Sequence, residues 1–265
     1  MLLMILNEII RDKRREIEQR KRSVGLETLR EQISSLPLTR DFKTALSRPG
    51  LSLIAEVKKA SPSVGVIKED FDPVRLAKIY EESGAAAISV LTESKYFQGS
   101  LDDIDRIKMV TSVPVLRKDF IFDDYQVYES RAHGADAILL IAAILDAEEM
   151  SRLISLARRL GLSVLVEAHT EGELFKVLKT DAEIVGINNR NLENFEVDIS
   201  TTARLKAFIP PGKVIVSESG ISSSNEVDFL RSLGVDAILV GEFLMKGDDV
   251  KEKVRELLEN KGSEV

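Results

Sequence analysis

Ser83-Gly84-Ala85-Ala86-Ala87-Ile88, His133-Gly134-Ala135-Asp136-Ala137-Ile138 and Leu233-Gly234-Val235-Asp236-Ala237-Ile238 are three versions of one phrase. In each, a stretch of helical periodicity ends at a glycine, the residue best able to take the left-handed conformation that closes a helix. An apolar run begins within two or three residues, and Gly161 ahead of Ser163–Val166 is a looser copy. Outward from these junctions, eight such runs alternate with longer helical stretches: Leu53–Val57, Ala87–Leu91, Pro114–Arg117, Ala137–Ile141, Ser163–Val166, Ile184–Ile187, Val214–Ser217 and Ala237–Val240. They are short and nearly all apolar, as parallel strands covered on both faces must be.

Repeated β/α units dictate a parallel sheet with right-handed crossovers. Eight of them, in a chain of 265 residues, predict fold class α/β closed into a (β/α)8 TIM barrel, which takes about 250 residues. The alternative, an open doubly wound sheet, would carry a glycine-rich nucleotide turn after its first strand. That turn reads Lys58-Lys59-Ala60-Ser61-Pro62-Ser63, and neither G-x-G-x-x-G nor a P-loop occurs anywhere.

Residues 1–47 have another character. Ile5, Ile9, Ile10 and Ile17 recur near helical spacing beneath a charged face from Arg11 to Arg22. A second helix is expected over Leu26–Ile33 after Gly25, and a third short turn over Asp41–Leu46. We therefore expect an N-terminal helical extension, 1–47, packed on a catalytic barrel, 48–265, the two forming one structural domain. The basic run is interrupted by Asp12, Glu16 and Glu18, which predicts a solvated helix face rather than a nucleic-acid patch.

Composition narrows the function. Hydrophobic residues at 44% and charged residues at 31% suit a globular chain and not a disordered one. A net charge of −7 disfavours nucleic acid and anionic membranes as partners. The absence of cysteine excludes a disulfide framework, thiolate zinc sites and a cysteine nucleophile. With His133 and His169 far apart in sequence, no metal site is expected. The apolar start Met1–Leu6 runs at once into Asn7-Glu8 and lacks a basic flank, and no stretch approaches the roughly 18 apolar residues that span a bilayer. The expected location is cytoplasmic.

In a barrel the active site lies at the C-terminal strand ends, so the residues at the end of each apolar run are the ones that test function. The first run contains Glu56 and leads to Lys58; the third leads to Lys118-Asp119, the fifth to Glu167, the sixth to Asn188 and Arg190, the seventh to Glu218-Ser219-Gly220 and the eighth to Gly241-Glu242. Glu93, Asp119 and Asp146 are read as solvated loop charges or rim salt bridges. Glu56 and Lys58 share one strand face, and a carboxylate buried beneath an ammonium needs that partner to stay ionised. With Lys118 and Glu167, two cations and two anions converge on one mouth, an arrangement suited to acid–base chemistry. Gly220 and Gly241 stand where barrel loops often bind phosphate; the alternative is that each only permits a tight turn. His133, at a helix end, suits the dipole there. His169 lies just beyond Glu167 with nothing paired to it in sequence.

The block Ile54-Ala55-Glu56-Val57-Lys58-Lys59-Ala60-Ser61-Pro62-Ser63 closely resembles the signature of the indole-3-glycerol phosphate synthase family. The likeness continues through Leu91–Ser100, Leu116–Phe120, Leu165–His169, Gly186–Leu192 and Ser217–Ile221, and includes the N-terminal extension. It implies ring closure of 1-(2-carboxyphenylamino)-1-deoxyribulose 5-phosphate with loss of carbon dioxide and water, a step of tryptophan biosynthesis that needs no cofactor. By the same resemblance, Lys118 would protonate the substrate carbonyl oxygen, its pKa lowered by a second lysine or by partial burial. Lys58 would bridge substrate and Glu56 and donate a proton for dehydration. Glu167 would be the general base, with Asn188 and Glu218 orienting these groups. Ser61, Pro62, Phe97, Arg190, Ser219, Gly220, Gly241 and Glu242 would line the pocket, Phe97 and Pro62 against the aromatic ring and the seventh- and eighth-strand loop positions around the phosphate. Asn191 stands where many relatives carry aspartate, and Glu242 where some carry a small residue; its carboxylate is expected to point away from the phosphate. The expected partner is this small phosphorylated molecule, with the chain a monomer and other enzymes of the pathway as further candidates. Among rivals, phosphoribosylanthranilate isomerase uses a cysteine that this chain lacks. A Schiff-base aldolase and a non-catalytic phosphate-ligand sensor remain alternatives.

Overall fold

The computed structural model describes residues 3–191, 196–246 and 249–258. Leu192, from the fifth block of the resemblance, and the outer ends of the 1–47 and 48–265 division lie outside them. Eight parallel strands close into a barrel: β1 (Ser52–Val57), β2 (Ala87–Leu91), β3 (Val115–Lys118), β4 (Ala137–Ile141), β5 (Ser163–Ala168), β6 (Ile184–Asn188), β7 (Val214–Glu218) and β8 (Ala237–Val240), with β8 returning to β1. Preceding the barrel are α1 (Leu3–Ser23), α2 (Leu26–Ser34) and α3 (Phe42–Leu46). The crossovers run through α4 (Pro73–Glu82), α5 (Asp102–Lys108), α6 (Asp124–Ala132), α7 (Ala147–Arg159), α8 (Glu171–Val177), α9 (Ser200–Lys206) and α10 (Ser224–Ser232). A one-turn α11 (Glu242–Met245) and α12 (Val250–Leu258) come after β8. Among the described residues no helix is long and apolar enough to cross a membrane.

The glycines at the helix–strand junctions adopt the conformation their position demands: Gly84, Gly134, Gly161 and Gly234 all have positive φ, between 69° and 97°. Several strands nevertheless run further than apolarity suggests. Hydropathy places Lys118, Glu167, Asn188 and Glu218 just beyond their strands, but each is a strand residue. Backbone pairing such as Ile141↔Glu167 and Asn188↔Glu218 continues through them.

That continuation fixes where these side chains point. The strand period of two sends alternate residues into the barrel. Leu53, Ala55 and Val57 of β1 belong to the core between strands and helices, whereas Ile54 belongs to the barrel interior. Glu56 and then Lys58 continue the inward set. Leu116 precedes Lys118, Leu165 precedes Glu167, Ile184 precedes Asn188 by two inward steps, and Val216 precedes Glu218. An apolar layer therefore lies directly beneath a ring of polar groups. From the opposite end, Phe42 and Leu46 of α3 join that interior layer and plug the barrel floor.

Helix α1 buries Ile9, Lys13 and Ile17, spaced four apart on one face. Ile17 packs with Leu29 of α2 and Tyr125 of α6. The expectation of a solvated basic face therefore fails at Lys13, which is 1% exposed, 3.1 Å from Asp119 and 2.8 Å from Glu16. Asp119 also accepts from Arg117 (3.0 Å) and Thr92 (2.7 Å), and Arg117 reaches Glu129 (3.0 Å), itself 3.0 Å from Arg20. Asp119 is thus part of a sealed ion network on the helix side of β3, not a solvated loop charge. Asp146 is the N-cap of α7 in a capping box. Glu93 is buried and, among the described residues, forms no salt bridge; it accepts the backbone N–H groups of Lys95, Tyr96 and Phe97 and shapes the loop after β2. His133 is the residue that ends α6, and its Nδ1 lies 2.5 Å from Asp105 Oδ2 of α5.

Candidate active site

At the C-terminal mouth lies a cavity of about 200 Å³. Every residue given a catalytic or binding role by the resemblance is on its wall: Glu56, Lys58, Lys118, Glu167, Asn188 and Glu218 from the inward polar layer, then Arg190, Ser219, Gly220, Gly241 and Glu242 from the last three βα turns. Ser61 and Pro62 come from a short hairpin, Ala60–Ser61 paired with Gly65–Val66, inside the loop after β1, and Phe97 comes from the loop after β2. Sequence reasoning missed the roof, made by Ile5, Leu6 and Ile9 of α1, and it missed Phe120, whose ring centroid is 6.2 Å from that of Phe97.

Glu56 stands between the two lysines. Its Oε1 is 2.8 Å from Lys58 Nζ and its Oε2 is 3.8 Å from Lys118 Nζ. Burial favours the neutral acid, but the paired charges of Lys58 and Lys118 overcome it and hold the carboxyl below its usual range. Lys118 departs from expectation. Burial works to lower its pKa, yet the carboxylates of Glu56, Glu167 and Glu218 outweigh that and raise it, so the group is a firmly held ammonium. A neighbouring lysine does not decide the outcome, because acidic side chains surround Lys118, Glu56 and Glu167 foremost.

Glu167 and Glu218 are both buried on the wall of this cavity, and their proton affinities move in opposite directions. Burial pushes Glu167 up, but His169 and Lys118 bring it down to about 2. Burial and the charge of Glu167 push Glu218 well above the ordinary carboxylate range, so of the two it is the one that holds a proton more firmly. His169 is therefore not a bystander. It lies 3.0 Å from Glu167 and 2.9 Å from Glu173, four residues on. The Glu-x-His-x-x-x-Glu spacing across a strand-to-helix turn was the available signal.

Two inward glycines make room for these carboxylates. A Cβ on Gly186 would overlap Glu218 Oε1, and one on Gly241 would overlap Glu56 Oε1 and approach its Cβ and Cδ at 3.0 Å. Gly241, with φ −126°, needs no left-handed turn; the close approach of Glu56 accounts for it. Gly241→Ala is expected to turn Glu56 off Lys58 and lower kcat by about 10- to 100-fold, read by steady-state kinetics. An unchanged kcat would mean Glu56 has another productive place to sit.

Gly220 does use positive φ (77°), and so does Ser219 (67°), a costly conformation for a residue with a side chain. Asn189, buried and unassigned from sequence, holds that turn: its Nδ2 donates to Ser219 O and to Ser217 Oγ (3.0 Å each), while its Oδ1 accepts from Thr202. Glu242 does not simply point away from the mouth; its carboxylate pairs with Lys246 and lies 3.6 Å from Arg190.

A closed parallel barrel with lysines and carboxylates interleaved at its mouth, under an apolar roof, defines a barrel enzyme that moves protons on a small molecule. The chain belongs to the indole-3-glycerol phosphate synthase family, whose model matches residues 6–257. Among its relatives, the indole-3-glycerol phosphate synthase of Dehalococcoides mccartyi is 49% identical over 96% of this chain and 100% of its own length. That of Alkaliphilus metalliredigens is 48% identical over 96% of this chain and 98% of its own. The fold is also similar to a solved 3-hexulose-6-phosphate synthase, with TM-score 0.64 and 16% identity over 78% of this chain and 98% of that one.

Proposed function

We propose that the mouth cavity closes 1-(2-carboxyphenylamino)-1-deoxyribulose 5-phosphate to indole-3-glycerol phosphate, releasing carbon dioxide and water, as a carboxy-lyase of tryptophan biosynthesis. What carries the reading is a protonated lysine and an ionised glutamate, Lys118 and Glu167, facing one cavity. As the ring carbon bearing the carboxylate attacks the carbonyl carbon, Lys118 supplies the proton to the carbonyl oxygen. The C–C bond to the carboxylate then breaks, and its electrons restore the aromatic ring. Lys58, held by Glu56, delivers the proton with which the new hydroxyl departs as water. Glu167 supports the positive charge that develops on the ring nitrogen and accepts the proton lost from the adjacent methylene carbon, which completes the carbon–carbon double bond of the indole. Asn188 and Glu218 orient these groups.

The aromatic ring would lie among Phe97, Pro62 and the apolar roof, with Ser61 at the rim. Arg190 and the backbone of Ser219, Gly220, Gly241 and Glu242 would take the phosphate. The extension, 1–47, acts with the barrel as one domain because it closes the cavity. We place the enzyme in the cytoplasm, acting as a monomer without cofactor, metal, membrane or nucleic acid. Adding the substrate to the folded protein and monitoring indole fluorescence tests this directly; a silent trace from folded protein would sink it.

A further inference from the structure

We propose that His169 is a positioning residue for this reaction, clamping the Glu167 carboxylate ionised and in place opposite Lys118. The inference rests on the ring-closing function proposed for the mouth cavity.

The imidazole is hydrogen-bonded at Nδ1 and lies at ion-pair distance from a second carboxylate at Nε2. Nε2 lies 3.0 Å from Glu167 Oε1 and Nδ1 lies 2.9 Å from Glu173 Oε2, with the side chain only 5% exposed. Glu173 is itself fixed: its Oε2 also accepts the His169 backbone N–H (2.8 Å), and its own N–H donates to Thr170, the N-cap of α8 (3.2 Å). Two carboxylates within 3.0 Å of the ring, one hydrogen-bonded at Nδ1 and the other at ion-pair distance from Nε2, favour the imidazolium over either neutral form. The electrostatics agree. Burial opposes the charge, but Glu167 and Glu173 raise the pKa of His169 to about 10.

The clamp settles a contest among acids. Facing Glu167 are Lys118 from β3, Glu218 from β7, Glu56 from β1 and His169 from its own strand end. Three buried carboxylates thus share Lys58 and Lys118, too few cations to keep all three ionised. His169 touches Glu167 and not Glu218, so the proton stays on Glu218 and the base stays free. Without that cation, Glu167 and Glu218 would compete for the proton on nearly equal terms, and Glu167 would titrate at higher pH.

The test is the pH dependence of His169→Gln, which keeps a polar side chain but removes the charge, with His169→Asn as a second variant should the first not fold. The ratio of variant to wild-type kcat/KM cancels the titration of the substrate phosphate. Because Glu167 is depressed in the wild type and released upward in the variant, the ratio should fall as pH falls from about 8.5 to about 5.5. Below the new midpoint the drop should be about tenfold per pH unit. Glu171→Gln, an exposed residue of the same helical turn, should give a flat ratio near one. A flat ratio for the His169 variants, even at reduced activity, would reduce the clamp to a structural contact and overturn the proposal while leaving the function intact. An inactive wild type would overturn the function and the clamp together.

Discussion

Lys118→Ala is expected to lower turnover by about 10²- to 10⁴-fold, the usual worth of a positioned general acid, with KM changed far less. Two losses act together. The donor disappears from its inward place on β3, and Glu56, Glu167 and Glu218 lose a cation they share. Their proton affinities then climb, so the base is weakened along with the acid. Binding is spared because phosphate contacts are proposed for the β7 and β8 turns and ring contacts for Phe97 and the α1 roof, none of which leans on Lys118. Lys118→Arg separates the roles: it restores the charge, but a guanidinium does not give up its proton near neutrality. It should therefore restore the charge shared by the three acids without recovering turnover. Near wild-type turnover in Lys118→Ala would remove the acid assignment; full recovery in Lys118→Arg would make Lys118 an electrostatic clamp instead.

The residues behind that prediction are legible in the sequence because barrels put chemistry at one place, and because a period of two tells which strand residues face inward. Helix-closing glycines such as Gly134 and Gly234 locate the strands, and the residues ending the apolar runs then name Lys118, Glu167 and Glu218. Hydropathy does not show that these are still strand residues, since pairing of the backbone is indifferent to the charge of the side chain above it. What stays hidden depends on partners. Glu93 resembles any loop acid until three backbone N–H groups are seen to converge on it. Lys13 sits in the apolar stripe of α1, between Ile9 and Ile17, an anomaly that a strict count of helical spacing would have exposed; its partner lies 106 positions away. His169 looks solitary only until Glu173, one helical turn on, is counted as its neighbour.

Asp119→Ala is expected to destabilise the fold by about 3–5 kcal/mol, the cost of leaving buried charge uncompensated. The side chain is 0% exposed and takes Lys13 at 3.1 Å, Arg117 at 3.0 Å, Thr92 at 2.7 Å and the Phe120 N–H at 2.8 Å. Removing it leaves Lys13 with Glu16 and Arg117 with Glu129, but no anion between the two cations. Replacing the pair together, Lys13→Met with Asp119→Leu, should cost less than Asp119→Ala alone, because the desolvation penalty goes with the charges. Acidity supplies an independent check. Burial raises the carboxyl, but Lys13 and Arg117 overcome it and hold Asp119 well below its ordinary pKa. A group depressed in the folded state stabilises above its unfolded value of about 4 and loses that contribution as pH falls toward the folded one. The gap in Tm between wild type and Asp119→Ala should accordingly be widest at neutral pH and narrow below pH ~4. A gap independent of pH would mean the loss is one of packing. The network also reaches the chemistry: it ties α1, which carries the cavity roof, to the strand that ends in Lys118. The variant should therefore lose affinity for substrate at temperatures where the barrel is still folded, a separation that parallel substrate titrations and thermal melts can resolve.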